Sequence, residues 1–216
     1  MENTARTNDR WFVAYHAEVL AAHSGMRAGE IRKTVLGAVD LENRRIYVRR
    51  KVTKSNKGAR IIELNSDALG AVAKLYQRAQ LLGATSSNHY LLPADLSRHT
   101  KITDPLKGQR GFDPNNHQQG WRTSRRNLRK KAGLEDVRFH DLRHTFISRM
   151  AENNVPLPVV RSMVGHMSAK VTERYTHIST NAARSAVELL ERIQPQAHFV
   201  DEFVDVKVRP DAKTLQ

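Results

Sequence analysis

Apolar positions recur along this chain with two different periods, and the switches between them mark out its elements. Trp11, Phe12, Tyr15, Val19 and Leu20 follow the three-to-four spacing of a helix with one apolar face. Thr7 or Asn8 offers a capping oxygen before them and Ser24-Gly25 a stop after them, so the spacing predicts a helix reaching about His23. A second short helix is expected to begin near Arg27. From Leu36 to Leu64 the pattern is that of a small antiparallel sheet. Ile46-Tyr47-Val48 reads as a strand and Arg60-Ile61-Ile62-Glu63-Leu64 as its return, with turns at Leu41-Glu42-Asn43-Arg44 and Ser55-Asn56-Lys57-Gly58.

Helical spacing resumes from Ser66 to Leu82 and is closed by Gly83. Tyr90-Leu91-Leu92-Pro93 reads as a short strand or extended turn. Residues 94–116 read as a long polar loop containing an Asp113-Pro114-Asn115-Asn116 turn. A basic helix is expected from about Gln118 to Ala132, stopped by Gly133. Further helices are predicted over about His140 to Asn153, from Pro156 or Pro158 to just before Gly165, through Tyr175, and over about Asn181 to Ile193. Phe199 to Val208 has the composition of a strand. Together these predict a mainly α fold with a small antiparallel β-sheet, an α+β class, with no internal repeat.

Composition narrows the function classes. The 216 residues suffice for one large or two small domains, and 39% apolar content with a mean hydropathy of −0.59 describes a globular chain. No apolar run reaches the ~18–20 residues of a membrane span, so no membrane partner is expected. The first residues lack the apolar core of a signal peptide, and a cytoplasmic or nucleoid location is expected. The absence of cysteine excludes disulfides, thiolate zinc sites and cysteine nucleophiles.

Charge changes the picture most. Thirty-six Lys and Arg against 22 Asp and Glu give a formal net charge of +14, which calls for a polyanionic partner. The cations are spread over Arg44 to Arg60, Arg122 to Lys131 and Arg138 to Arg149, a distribution suited to a folded surface against a duplex. A merely solubilising basic surface is the plainer alternative.

Four segments carry candidate chemistry. In Ser24-Gly25-Met26-Arg27-Ala28-Gly29-Glu30, a glycine turn presents Arg27 at a helix start, where Glu30 can orient it, though a surface ion pair would look the same. Thr53-Lys54-Ser55-Asn56-Lys57-Gly58 is a hairpin tip with two lysines, either functional or only solubilising. In Phe139-His140-Asp141-Leu142-Arg143-His144-Thr145, His140 and Arg143 share a helix face and can address one phosphate. His140 and His144 also have the spacing of a two-histidine metal site, but no third ligand is evident. Finally, Gly165-His166 precedes Arg174-Tyr175-Thr176-His177, placing His166 nine residues before Tyr175. A tyrosine phenol is ionised in only about one molecule in a thousand at neutral pH. Among cations it becomes a plausible nucleophile.

In this order the segments resemble the tyrosine recombinase (phage integrase) family, whose catalytic domain carries Gly-aliphatic-Arg-x-x-Glu, a hairpin Lys, His-x-x-Arg, Gly-His and a terminal Arg-Tyr. The resemblance covers roughly residues 8–193. It implies that Tyr175 attacks the scissile phosphate, leaving a 3′-phosphotyrosyl bond and a free 5′-hydroxyl. Arg27 and Arg143 would bind the nonbridging oxygens, His140 would take or share the tyrosine proton, and His166 would hydrogen-bond the phosphate. Lys54 would protonate the leaving 5′ oxygen, with Lys57 a competitor for that role, and Glu30 would support the site. No metal or nucleotide cofactor is implied, because the phosphotyrosine link conserves the bond energy.

The implied partner is double-stranded DNA, with a tetramer on DNA and a monomer possible without it. The residues from Asn181 to Ile193 offer an apolar face for a neighbouring protomer or for their own domain. Family members usually carry a DNA-clamping domain before the first arginine motif. Only 26 residues precede Arg27 here, so the expectation is a single catalytic domain over residues 1–216, with a core of about 8–193, a tail of 194–216 and no clamp domain. Other readings left open are a DNA-binding module without catalysis, a type IB topoisomerase, and a metal-dependent hydrolase built on His140 and His144.

Overall fold

The computed structural model describes residues 9–49, 59–96, 111–167 and 172–173. The elements are α1 (Asp9–Ser24), α2 (Ala28–Arg32), a 3-10 turn (Leu36–Ala38), β1 (Val39–Asp40), β2 (Arg45–Val48) and β3 (Arg60–Glu63). They continue with α3 (Ser66–Leu81), β4 (Pro93–Asp95), β5 (Phe112–His117), α4 (Arg122–Lys131), α5 (Phe139–Glu152) and α6 (Leu157–Val164). The expected mainly helical α+β class is the observed one.

The main core forms where α1 meets α3. Helix α1 buries Val13, Ala14, Ala17, Leu20 and Ala21, and α3 buries Ala68, Ala71, Val72, Leu75 and Ala79. The alanines on both faces let the two helix axes approach closely, while Leu20 and Leu75 supply apolar area worth roughly 2 kcal/mol each on burial. Asn65 caps α3 by accepting from the Ala68 amide at 2.9 Å. Strands β1, β2 and β3 form an antiparallel sheet in that order, pairing Ile46 with Ile62 and Val48 with Arg60. Ile46, Val48, Ile62 and Leu64 turn inward onto the helices. A second, smaller core joins α5 to α6 through Phe146, Ile147, Ala151, Val160 and Val164.

Most sequence-predicted boundaries hold to within a residue or two, and three differ. The expected 94–116 loop contains strand β5, which pairs with β4 across a bulge between Pro93 and Ala94. Asp113-Pro114-Asn115-Asn116 makes its turn inside that strand: Asp113 accepts from the Asn115 amide at 2.8 Å while the Pro114 carbonyl accepts from the Tyr90 amide. Turn chemistry and strand pairing thus coexist, because a bulge absorbs the extra residues. Of the two readings of Tyr90–Pro93, a short strand or an extended turn, strand begins only at Pro93, with Tyr90 making an isolated bridge to Val35. The basic helix starts at Arg122 instead of about Gln118, since Gln118 carries on the pairing of Pro93 with His117 by donating its amide to the Leu92 carbonyl. The hairpin tip with Lys54 and Lys57, the segment from Arg174 through Tyr175, the Asn181–Ile193 helix and the Phe199–Val208 strand lie outside the described residues.

Candidate active site

The site lies on the seam between the two cores, and a glycine sets how closely they meet. Gly25 follows α1 with φ of +67°, in the left-handed region that glycine enters without strain. A Cβ there would stand 2.8 Å from both Phe146 Cδ1 and Val164 Cγ1. Only hydrogen fits between the turn and the α5–α6 pair. The chain then buries Met26 in the main core and turns Arg27 outward at the start of α2.

Glu30 anchors that turn. Its carboxylate accepts from the Arg27 amide at 2.9 Å, closing the first turn of α2, and from Arg27 Nη1 at 3.1 Å. The same carboxylate takes a bidentate fork from Arg60, with Nη1 to Oε1 at 3.0 Å and Nη2 to Oε2 at 2.8 Å. Burial pushes the Glu30 carboxyl up, but the hydrogen bonds and charge of Arg60, followed by those of Arg27, outweigh it and hold the group below its ordinary range. Glu30 is therefore a buried carboxylate at neutral pH.

Arg143 reaches the same place from α5. It is almost wholly buried, and its guanidinium meets backbone carbonyls: Nη1 donates to Gly25 at 2.6 Å, and Nη2 to Val164 at 2.8 Å and His166 at 3.1 Å. Three of its five N–H donors hold the frame. Burial, and then the nearby charge of Arg27, lower its pKa to about 10, with Glu30 opposing, so it stays cationic at neutral pH. Arg27 Nη2 donates to the same His166 carbonyl at 2.9 Å. Arg27 and Arg143 thus share one acceptor, but the Arg27 side chain is 40% exposed whereas Arg143 faces inward.

The His166 carbonyl can serve both because α6 ends abruptly. Gly165 adopts φ of +75° while its amide bonds the Arg161 carbonyl at 2.8 Å, turning the chain back over the arginines. His140 stands one turn before Arg143 on α5, exposed, with its ring edge-on to His144 at 4.6 Å between centroids. Partial burial, then the charges of His144, Arg143 and Arg27, push its pKa below the ordinary histidine value, so its imidazole is neutral at pH 7.

The start of α5 has its own support. Asp141 accepts from the Arg138 amide at 2.8 Å, repeating the turn closure that Glu30 gives Arg27. From α4, Arg125 donates to the Val137 carbonyl at 2.8 Å, lies 5.5 Å over the Phe139 ring and pairs with the buried Glu18 of α1. Arg122, Arg126 and Lys130 leave the outer face of α4 at four-residue spacing, an exposed basic stripe.

Of the residues singled out by sequence, hydrogen bonds join Arg27, Glu30, Arg143 and the His166 backbone, with His140 beside them. Lys54, Lys57 and Tyr175 fall outside the described residues. Sequence reasoning missed Arg60. Strand alternation carried the signal: Arg60 and Ile62 share the inward face of β3, continued by Leu64 just past its end, and an inward arginine requires a buried acid. Among the described residues, no group of three or more His, Asp or Glu side chains could hold a metal ion, and no helix is long and apolar enough to cross a membrane.

The sequence profile of the phage integrase family matches residues 3–182. The chain belongs to that family. It is 26% identical over 161 residues to the integrase of Salmonella phage P22, a match covering 74% of this chain but 38% of the phage protein. The chain thus spans well under two thirds of that relative's length. Its structure is similar to that of XerA recombinase, with a TM-score of 0.54 and 25% identity, covering 90% of this chain and 62% of XerA. The fold is also that of the Tn1549 transposon integrase solved with transposon right end DNA, with a TM-score of 0.54 and 20% identity over 82% of this chain and 58% of that one. The architecture of the chain is that of tyrosine recombinase catalytic domains.

Proposed function

We propose that this chain is the catalytic part of a site-specific DNA recombinase that cleaves and rejoins duplex DNA through a 3′-phosphotyrosyl intermediate. The observation that carries the reading is the shared frame of Arg27, Glu30, Arg143 and the His166 carbonyl. It gathers two family-motif arginines from distant parts of the chain at the carbonyl of His166, which precedes Tyr175 by nine residues in the sequence. In the reaction, the Tyr175 oxygen bonds to phosphorus as the bond to the 5′ oxygen breaks. Neutral His140 takes the phenol proton, and Lys54 gives one to the leaving alkoxide. Arg27, whose head is exposed, faces the nonbridging oxygens, and Arg143 adds its buried positive charge from behind while it holds the carbonyls of Gly25, Val164 and His166. Attack by a new 5′-hydroxyl reverses the steps and releases the tyrosine.

The phosphodiester energy is retained in the phosphotyrosine, so neither a metal nor a nucleotide is required. The basic stripe on α4 supports duplex DNA as the partner, and four protomers on DNA would complete a recombination event. A nicked suicide duplex in EDTA tests the reading. A covalent protein–DNA adduct that disappears in Tyr175→Phe supports it. DNA binding with no adduct on any suicide duplex favours a non-catalytic binding module, and activity lost in EDTA favours a metal-dependent hydrolase.

A further inference from the structure

We infer that Arg60 is a positioning residue of this active site, holding Glu30 and the end of α6 so that the head of Arg27 keeps its exposed side toward a phosphate. The inference rests on the recombinase reading above and deepens it.

Arg60 is 6% exposed and spans three elements from the start of β3. Its Nη1 and Nη2 occupy both oxygens of Glu30, and its Nε donates to the Met163 carbonyl at 2.6 Å. Met163 lies two residues before Gly165, at whose Cβ position Arg60 Nη1 would be 3.6 Å away. One planar fork therefore fixes the acid that orients Arg27 and the turn whose carbonyls hold Arg143 and Arg27.

The electrostatics give that fork a task beyond packing. Glu30 is a buried carboxylate that needs a compensating cation. With Arg60 present, that need is met from inside, and Arg27 gives Glu30 only a 3.1 Å contact from one nitrogen while its head stays 40% exposed. Without Arg60, Arg27 is the cation already hydrogen-bonded to Glu30 and is drawn further inward onto it, away from solvent and any phosphate. Lysine cannot substitute: a single ammonium lacks the geometry to bridge both carboxylate oxygens and a carbonyl on another side.

The test uses Arg60→Lys and Arg60→Ala in the full chain on a suicide duplex at saturating concentration. A misplacement of about 1 Å can cost about 10²-fold, and a loss of that order in the adduct-forming rate constant is expected, with DNA affinity within about threefold of the parent. Guanidinium ion in the buffer is expected to restore part of the rate in Arg60→Ala, where it fits the vacated slot, and none in Arg27→Ala. Independently of catalysis, a carbon-13 titration of the Glu30 carboxyl reads its midpoint, which rises in Arg60→Ala. A parental adduct rate in Arg60→Lys together with an unmoved Glu30 midpoint overturns the inference. So does a variant that loses DNA affinity but cleaves normally at saturation, or an Arg60→Lys chain without a cooperative unfolding transition, which would make the role purely structural. A parent chain that forms no Tyr175 adduct instead contradicts the recombinase reading, while the carboxyl titration still reports on Arg60.

Discussion

Arg143 Nη1 donates to the Gly25 carbonyl at 2.6 Å, joining residues 118 positions apart across the seam between the two cores. The bond is possible because Gly25 has no side chain to hold the turn away from Phe146 and Val164. The position of Arg27, two residues later, follows from the same contact.

Gly25→Ala is therefore expected to damage both stability and chemistry. The added Cβ meets two side chains at 2.8 Å in a backbone conformation with φ of +67°. Strain of this kind costs about 1–3 kcal/mol before overpacking is added. Denaturant unfolding should show a lower midpoint with an unchanged slope, and the adduct-forming rate should fall.

The two arginines are expected to separate by stability while resembling each other in rate. Removing either cation from the phosphate should cost on the order of 10²–10³ in rate. Arg143→Ala also strips the buried carbonyls of Gly25 and Val164 of this donor, at about 1–3 kcal/mol for each group left unsatisfied, while the His166 carbonyl keeps its bond from Arg27. Arg27 is substantially exposed, so Arg27→Ala should unfold within about 1 kcal/mol of the parent. Thermal unfolding measured beside cleavage rates checks the difference.

The pH profile follows from His140. Its pKa lies below the ordinary histidine value, first because of burial and then because of His144, Arg143 and Arg27. The neutral base is thus complete at pH 7, and cleavage should fall only as the pH drops below about 6.5. The stability sign is the same: the folded state binds the proton less readily than the unfolded chain, so His140 lowers stability as pH falls through that region. His140→Gln should flatten the acid limb of the rate profile.

The Glu18–Arg125 pair should behave as a buried ion pair whose desolvation is only partly offset. Burial raises the Glu18 pKa despite the charge of Arg125, and burial lowers that of Arg125 despite Glu18. Glu18→Leu alone leaves a buried cation and should cost about 3–5 kcal/mol, whereas Glu18→Leu with Arg125→Met should recover most of that loss. A double-mutant cycle in urea measures it.

Much of this was legible in the sequence because local chemistry dictates it. Helical periodicity gave α1 and α3, and the glycines at 25, 83, 133 and 165 sit where the helices stop, each with positive φ. The Arg27–Glu30 spacing announced a turn closed by an acid. The inward arginine on β3 was not read, because its partner lies 30 residues away on another element and only the fold brings them together. Strand β5 was missed because a bulge gives Asp113 to Asn116 the chemistry of a turn. Motif spacing also says nothing about which arginine is buried. That asymmetry arises because Arg143 projects into the seam, whereas Arg27 begins a short helix at its rim.

The identity of the nucleophile decides the proposed chemistry most directly. Peptide mapping of the protein–DNA adduct from a suicide duplex, with the DNA end groups determined, should place the 3′-phosphate on Tyr175 and find a free 5′-hydroxyl on the released strand. A linkage to any other residue, or a 5′-phosphoryl linkage, would contradict it.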